Sequence, residues 1–176
     1  GVNMLNFGSS GHEIRPEGLQ IENFTKRALD NFAQNLYVKS IVRPEQILRP
    51  NCPHFFIPIN HEAFSVTENK EPLGCSIAER LSVQKLRINH YYTRSKQETQ
   101  QKIMRGDAFF PEQKLLWVME YRDRNEVEDL TIQRFVPKLK QAVDAAISKS
   151  RIAQIITEQW RSQSKLYQMQ TELEES

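Results

Sequence analysis

From Val83 to Gly106 the chain reads VQKLRINHYYTRSKQETQQKIMRG, an alternating run followed at once by a helix punctuated at both ends. In the first part Leu86, Ile88, His90 and Tyr92 fall on one face and Lys85, Arg87 and Asn89 on the other, the period-two pattern of a strand. In the second part Ser95 is placed to cap a helix, and Glu98, three residues on, to complete a capping box. Gly106 stands where a glycine closes a helix. A strand running directly into a helix belongs to an α/β architecture. The same pattern sets His90 on the apolar face at the strand's C-terminal end, with Arg94 and the helix start just beyond it.

The remainder divides into a strand-and-loop part and a helical tail. GVNMLNFG has the character of a strand or loop interior, and GLQIENF and YVKSIVRP are short β-rich runs bounded by Gly, Pro or Asn. RPNCPHFFIPIN carries Pro50, Pro53 and Pro58, so an extended, irregular course is expected there. NHEAFSVTENKEPLG has strand character with a turn over Asn69–Gly74. From about residue 111 the expectation is helical. Pro111 suits the first turn of PEQKLLWVMEYRD, and Asn125 suits the cap of EVEDLTIQRF. Pro137 is expected to kink or divide this helix. Val127, Thr131, Phe135, Leu139, Val143 and Ile147 give a four-residue stripe, and Arg151 to Leu173 extend it to a terminus expected to fray.

Charge is balanced, 24 basic against 22 acidic residues, and neither half is polarised. That is a poor footprint for nucleic acid, and Lys138, Lys140, Lys149, Arg151, Arg161 and Lys165 are spread among acids as a solvated face. Cys52 and Cys75 make no disulfide framework; one bond or two reduced thiols are both open, the latter being commoner. No run approaches the ~20 apolar residues of a membrane span, and no signal peptide opens the sequence. Cytoplasmic residence is therefore expected, with attachment to the inner face of a membrane left open.

Several residues can carry chemistry, and each has a structural alternative. His90, with Arg94 and a helix N-terminus behind it, can hold a metal or a phosphate, or can be a core histidine with one hydrogen bond satisfied. FGSSGH (Phe7 to His12) allows close backbone approach to a ligand, yet it lacks the Lys-Ser/Thr ending of a P-loop and the spacing of a nucleophile elbow. A plain turn fits it as well. Cys52 and His54 in NCPHF lack the further pairs a zinc site needs and read as structural. The three acids of NEVED (Asn125 to Asp129) read as complements to a helix dipole.

Taken in order, VNMLNFGSSGHEIRPEGLQIENFTKRA, KSIVRPEQIL, PHFF, RINHYYTRSKQETQQKIMRG and RNEVEDLTIQRF resemble the C-terminal half of bacterial glycosyltransferases of family 92, which are GT-A-type enzymes related to family 2. The resemblance runs from Val2 to about Leu139. It implies the C-terminal, acceptor-side part of a Rossmann-like GT-A domain over residues 1–107, and a helical tail packing on it over 108–176. It implies a nucleotide-sugar donor, a carbohydrate-type acceptor hydroxyl and a divalent metal, Mn or Mg, as in enzymes that build surface polysaccharide. By the same match His90 is the metal ligand, Arg94 and the helix start neutralise the donor diphosphate, and Ser9, Ser10, Gly11 and His12 lie on the acceptor side. Tyr91 and Tyr92 pack or border the pocket.

The sequence departs from the family in three ways. It has no D-x-D, its nucleotide-binding half would have to precede Gly1, and Met4 stands where the family has tryptophan. No catalytic base is placed; Glu13 and Glu22 are the nearest guesses. The reading is thus of half an active site. The competing expectation is a non-catalytic module that meets a partner through Ile152, Ile155, Ile156 and Trp160, if the fold leaves them uncovered.

Overall fold

The computed structural model describes residues 1–106 and 116–174. It is a mixed α/β structure built around β1 (Val2–Phe7), a strand whose six residues are all buried. Burial on both faces is what a central strand needs when each face is covered. Two asparagines interrupt the apolar run, and both are satisfied. Asn3 donates through Nδ2 to the carbonyls of Asn35 and Leu36, each at 3.1 Å, and its Oδ1 accepts the Ser82 amide at 3.2 Å. Asn6 gives its backbone and side-chain N–H to Asn35 Oδ1 at 2.9 and 3.1 Å.

After β1, a glycine turn leads into α1 (Gln20–Asn23). GLQIENF, expected as a strand, is therefore one helical turn. Gly18 has φ +92°, and Asn23 Nδ2 reaches back to the carbonyls of Glu17 and Leu19 at 2.8 and 3.1 Å. The segment closes on itself before it can pair. β2 (Lys26–Arg27) and β3 (Val38–Lys39) pair antiparallel with the end and the beginning of β1.

The proline-rich stretch is extended, as expected, and paired: β4 (Ile47–Cys52) and β5 (Phe55–Pro58) form a hairpin with two register shifts. Prolines, lacking an N–H, confine such strands to irregular ladders. β6 (Ser65–Val66) and β7 (Pro72–Leu73) make a second small hairpin, tighter than the Asn69–Gly74 turn expected. Its turn carries Glu68, whose carboxylate accepts Ser82 Oγ at 2.9 Å, the amides of Gln84 and Lys85 at 2.8 and 3.0 Å, and that of Leu86. These bonds wrap residues 82–86 around Glu68. The alternating strand thus begins later than its pattern, as β8 (Ile88–Tyr91), with Leu86 outside it and half exposed. β8 pairs with β1 in parallel, Asn6 opposite His90 and Phe7 opposite Tyr91.

α2 (Lys96–Arg105) follows with the full Ser95–Glu98 capping box, and Gly106 ends it at φ +77°. The proposed role of Pro111 lies outside the described residues. Beyond α3 (Leu116–Arg122), the continuous helix expected from residue 111 gives way to β9 (Val127–Glu128), which adds to β2. Asn125 therefore caps no helix. A short 3₁₀ turn, Thr131–Phe135, leads into α4 (Val136–Lys149). Pro137 sits at the start of α4, where its missing N–H costs nothing, and so kinks nothing. The four-residue stripe is accordingly split among a strand (Val127), the 3₁₀ turn (Thr131 and Phe135) and a helix (Leu139, Val143 and Ile147). Ser150 then breaks the chain with φ −123°, and its Oγ accepts the Ala153 amide at 3.2 Å to start α5 (Arg151–Glu174).

The tail is tied to the sheet part by side chains. Gln133 Nε2 donates to the carbonyls of Ile21 and Glu22, Lys140 pairs with Glu22 at 2.5 Å, and the Arg15 guanidinium lies 4.6 Å from the Trp160 ring centre. Along α5 the half-buried row is Ala153, Thr157, Trp160, Ser164 and Tyr167. Ile152, Ile155 and Ile156 lie on the neighbouring face and are 71, 47 and 59% exposed. Among the described residues no helix is long and apolar enough to cross a membrane.

Candidate functional site

Because β1 and β8 run parallel, the loops that leave them, residues 8–12 and 92–95, emerge at one end of the sheet. Backbone bonds join them: Lys96 N–H donates to His12 O at 3.0 Å and Gln97 N–H to Glu13 O at 2.9 Å. The structure thus brings the FGSSGH loop, His90 and Arg94 into one region, though not in the roles expected of each.

In the FGSSGH loop most polar atoms serve the protein itself. Ser9 gives its amide and hydroxyl to the Asp123 carboxylate at 2.5 and 2.9 Å. Thr93 Oγ1 reaches the same carboxylate at 3.3 Å and Asn125 Nδ2 at 3.0 Å. Ser10 N–H donates to Asn125 Oδ1 at 2.7 Å, and Ser10 Oγ accepts the Lys26 amide at 3.0 Å. His12 Nε2 donates to Asn23 O at 3.1 Å, which fixes its tautomer, and the ring lies edge-on to Phe24. A loop of small residues that cradles anions is here filled by its own Asp123. Gly8 must be glycine for this packing, since a Cβ would lie 2.4 Å from Arg124 O and 2.7 Å from Asp123 Oδ1. Of the four acceptor-side candidates, Gly11 alone faces open space, at φ +84°.

The helix start is likewise occupied. The first three amides of α2 go to His12 O, Glu13 O and Ser95 Oγ. The Glu98 carboxylate sits over that end, accepting Ser95 N–H and Oγ–H and the Arg94 guanidinium at 2.9 Å. The N–H groups expected to meet a diphosphate are therefore spent. Arg94, at φ +64°, is drawn to Glu98 and lines one cavity between α2 and α5 and another between α2 and α3, neither of which His90 lines.

His90 is half-buried. Asn35 Nδ2 donates to Leu29 O at 2.9 Å, which turns Asn35 Oδ1 toward Asn6 and obliges Asn6 to present its own Oδ1 to the histidine. His90 Nδ1–H therefore donates to Asn6 Oδ1 at 3.3 Å, and Nε2 carries the lone pair. Tyr92 lies edge-on at 5.6 Å. Over the Tyr92 ring stand Lys102 Nζ at 3.8 Å and the Arg122 guanidinium at 4.4 Å. Burial, and then the charges of Arg122, Lys102 and Lys39, push the imidazole pKa down to about 4. Tyr91 packs on Phe7 and Phe24, and burial raises its hydroxyl pKa.

A divalent cation fits this set poorly. His90 supplies one nitrogen, its charged surroundings are cationic, and no group of three His, Cys, Asp or Glu side chains suited to a metal occurs among the described residues. His54 is engaged with the Val38 carbonyl at 2.8 Å, and both cysteines are free thiols. The acids of NEVED are not a helix turn either. Asp129 is buried and receives Arg87 through both Nη atoms at 2.9 and 2.8 Å and Arg27 Nε at 2.8 Å. Burial alone would raise its pKa, but these bonds hold it far below the usual carboxylate range.

Three functional candidates escape a linear reading: Asp123, Lys102 and Arg122. Each lies in or after a helix, 12 to 33 residues beyond His90, and nothing in local spacing joins them to the strand. No protein-family model, curated protein or solved structure matches the chain.

Proposed function

We propose that the chain is the acceptor-side part of a GT-A-like, Rossmann-like sugar transferase, working with an upstream nucleotide-binding half that carries the D-x-D. The observation that supports it is the parallel β1–β8 pair, which opens two loops at its carboxyl end, the end at which open α/β sheets bind ligands. His90 lies at that end with Nε2 unshared and with Arg122, Lys102 and Lys39 around it. Transfer of a sugar from a nucleotide donor leaves a nucleoside diphosphate, so fixed positive charge where that anion develops is the main catalytic requirement. In this reading Arg122 and Lys102 supply that charge. Burial, the larger cause of the His90 depression, persists when a diphosphate binds, so the imidazole stays neutral and acts by packing edge-on against Tyr92, over whose ring Arg122 and Lys102 stand. Among the described residues no group of side chains specifies a metal site.

The test is a donor-hydrolysis and transfer assay on this chain joined to the region encoded before Gly1. Arg122→Ala is expected to lower turnover by about 100-fold, the scale of losing one charge-stabilising donor, and His90→Ala by about tenfold. Unchanged turnover in both removes the site, and an upstream region without a β-α-β pattern ending in D-x-D ends the reading altogether. A second reading, a non-catalytic module that meets a partner or a membrane surface through α5, is favoured by the exposure of Ile152, Ile155 and Ile156. Sedimentation of the chain with and without anionic vesicles separates the possibilities; a monomer that ignores vesicles leaves this reading without support.

A further inference from the structure

Along α5, Ile152, Ile155, Gln159, Ser162, Leu166 and Met169 recur at alternating spacings of three and four, the seven-residue period of a coiled-coil seam. All six are exposed, and Leu166 and Met169 are as open as Ile152 and Ile155, at 60 and 59%. The half-buried row of Ala153, Thr157, Trp160, Ser164 and Tyr167 lies on the opposite side of the helix, where Trp160 meets Arg15 and the Tyr167 hydroxyl meets Gln100 at 3.5 Å. The seam is therefore turned away from the part of the chain that holds the helix. Flanking it at seven-residue intervals stand Arg151, Glu158, Lys165 and Glu172, alternating in sign and all exposed. Among the described residues none of these four is in an ion pair.

We propose that α5 pairs with α5 of a second copy as an antiparallel two-stranded coiled coil. With the helices running in opposite directions about a twofold axis, Ile152 meets the second copy's Met169, Ile155 its Leu166 and Gln159 its Ser162, each contact occurring twice. Apolar residues then meet apolar ones. The polar pair at the centre fixes the register, because a slip buries it against aliphatic side chains. In that register Arg151 stands beside the second copy's Glu172 and Glu158 beside its Lys165, so every flanking charge meets its opposite. A parallel pair would set Arg151, Glu158 and Lys165 beside Ile156, Gln163 and Gln170 and match none of them. This complementarity selects a second copy, in one orientation, over an unrelated apolar partner or a lipid surface. The seam is short, so the interface belongs with reversible encounters of under about 1,200 Å²; in dilute solution the chain is monomeric and the face bare. The pairing rests on the exposed α5 face that the second reading above invokes, and is indifferent to the transferase reading.

Sedimentation velocity of the whole chain from roughly 5 to 500 µM brackets weak self-association. A monomer at the dilute end giving way to a dimer is expected. Leu166→Lys, on a side chain already exposed in the monomer, should weaken the dimer about tenfold or more while far-UV circular dichroism stays unchanged. Glu158→Lys and Lys165→Glu each bring like charges together in the antiparallel pair and should weaken it on the same scale. Mixed in equal amounts, these two variants restore opposite charges at both contacts and should associate as the parent does. A chain that stays monomeric throughout, a dimer that Leu166→Lys leaves intact, charge variants that self-associate as well as the parent, or a mixture no tighter than its components overturns the proposal. A chain that stays monomeric yet sediments with anionic vesicles overturns it while leaving the second reading standing. The charge variants, at exposed positions, carry the test if Leu166→Lys does not fold.

Discussion

His90 illustrates how a single side chain is set by three others. Asn35, Asn6 and the imidazole form a relay in which each acceptor is dictated by the bond before it. The depressed pKa has a consequence for stability. The unfolded chain binds a proton near pH 6.5 and the folded chain only near 4, so stability falls as pH drops through that interval. The loss is on the order of 3 kcal/mol. Urea unfolding at a series of pH values should show this slope, and His90→Gln should flatten it. Asp129 acts lower: with its folded pKa depressed, its contribution is present at neutral pH and fades only as pH falls below the ordinary carboxylate range. Removing it takes the shared carboxylate from two half-buried arginines, of which Arg27 keeps Asp30, so Asp129→Ala should cost about 3 kcal/mol in the same measurement. Gly8→Ala, which drives a methyl group into the Arg124 carbonyl, should cost about 1–3 kcal/mol.

Among the elements, α2 shows what a good cap does to a helix end. The capping box and the carbonyls of His12 and Glu13 consume the amides that a free terminus would offer to an anion. Its sequence signature therefore reports a joint between two loops rather than a phosphate site. Ser95→Ala should lower the melting temperature through a loss of about 1 kcal/mol, and should also speed amide exchange in residues 8–12, because the cap holds that loop. An effect confined to α2 would show that the two loops are not coupled. Glu68 plays a comparable part, drawing residues 82–86 out of the strand pattern and into a turn of its own.

For the whole molecule, the instructive feature is a tail that is anchored along one face and bare along another. The half-buried row from Ala153 to Tyr167 includes Trp160, which lies against Arg15, while Ile152, Ile155 and Ile156 are exposed. Charged substitutions there remove no packing. Ile152→Lys with Ile156→Lys should leave unfolding free energy within about 0.5 kcal/mol of the parent, whereas Trp160→Ala should lower it measurably and loosen α5. Equal losses from both would mean that the exposed face is covered in solution.

Local pattern was sufficient for the features whose causes are local. The capping box, the closing glycine and the extended course of the proline-rich hairpin all follow from residues within a few positions of one another. Failures arose where a distant partner outbid a local preference. Asn125 and Asp129 fit a helix start by spacing, but the first holds the Ser10 amide and the second holds Arg27 and Arg87, so the segment between them becomes an edge strand. His90 was legible as a residue at a strand's end; the positive charges beside it were not, because Arg122 and Lys102 arrive from two helices. Sequence alone determined that a strand ends in an imidazole beside a capped helix. Only the tertiary fold decided which charges meet that imidazole and which amides stay free, since both depend on contacts between elements that short-range periodicity cannot encode.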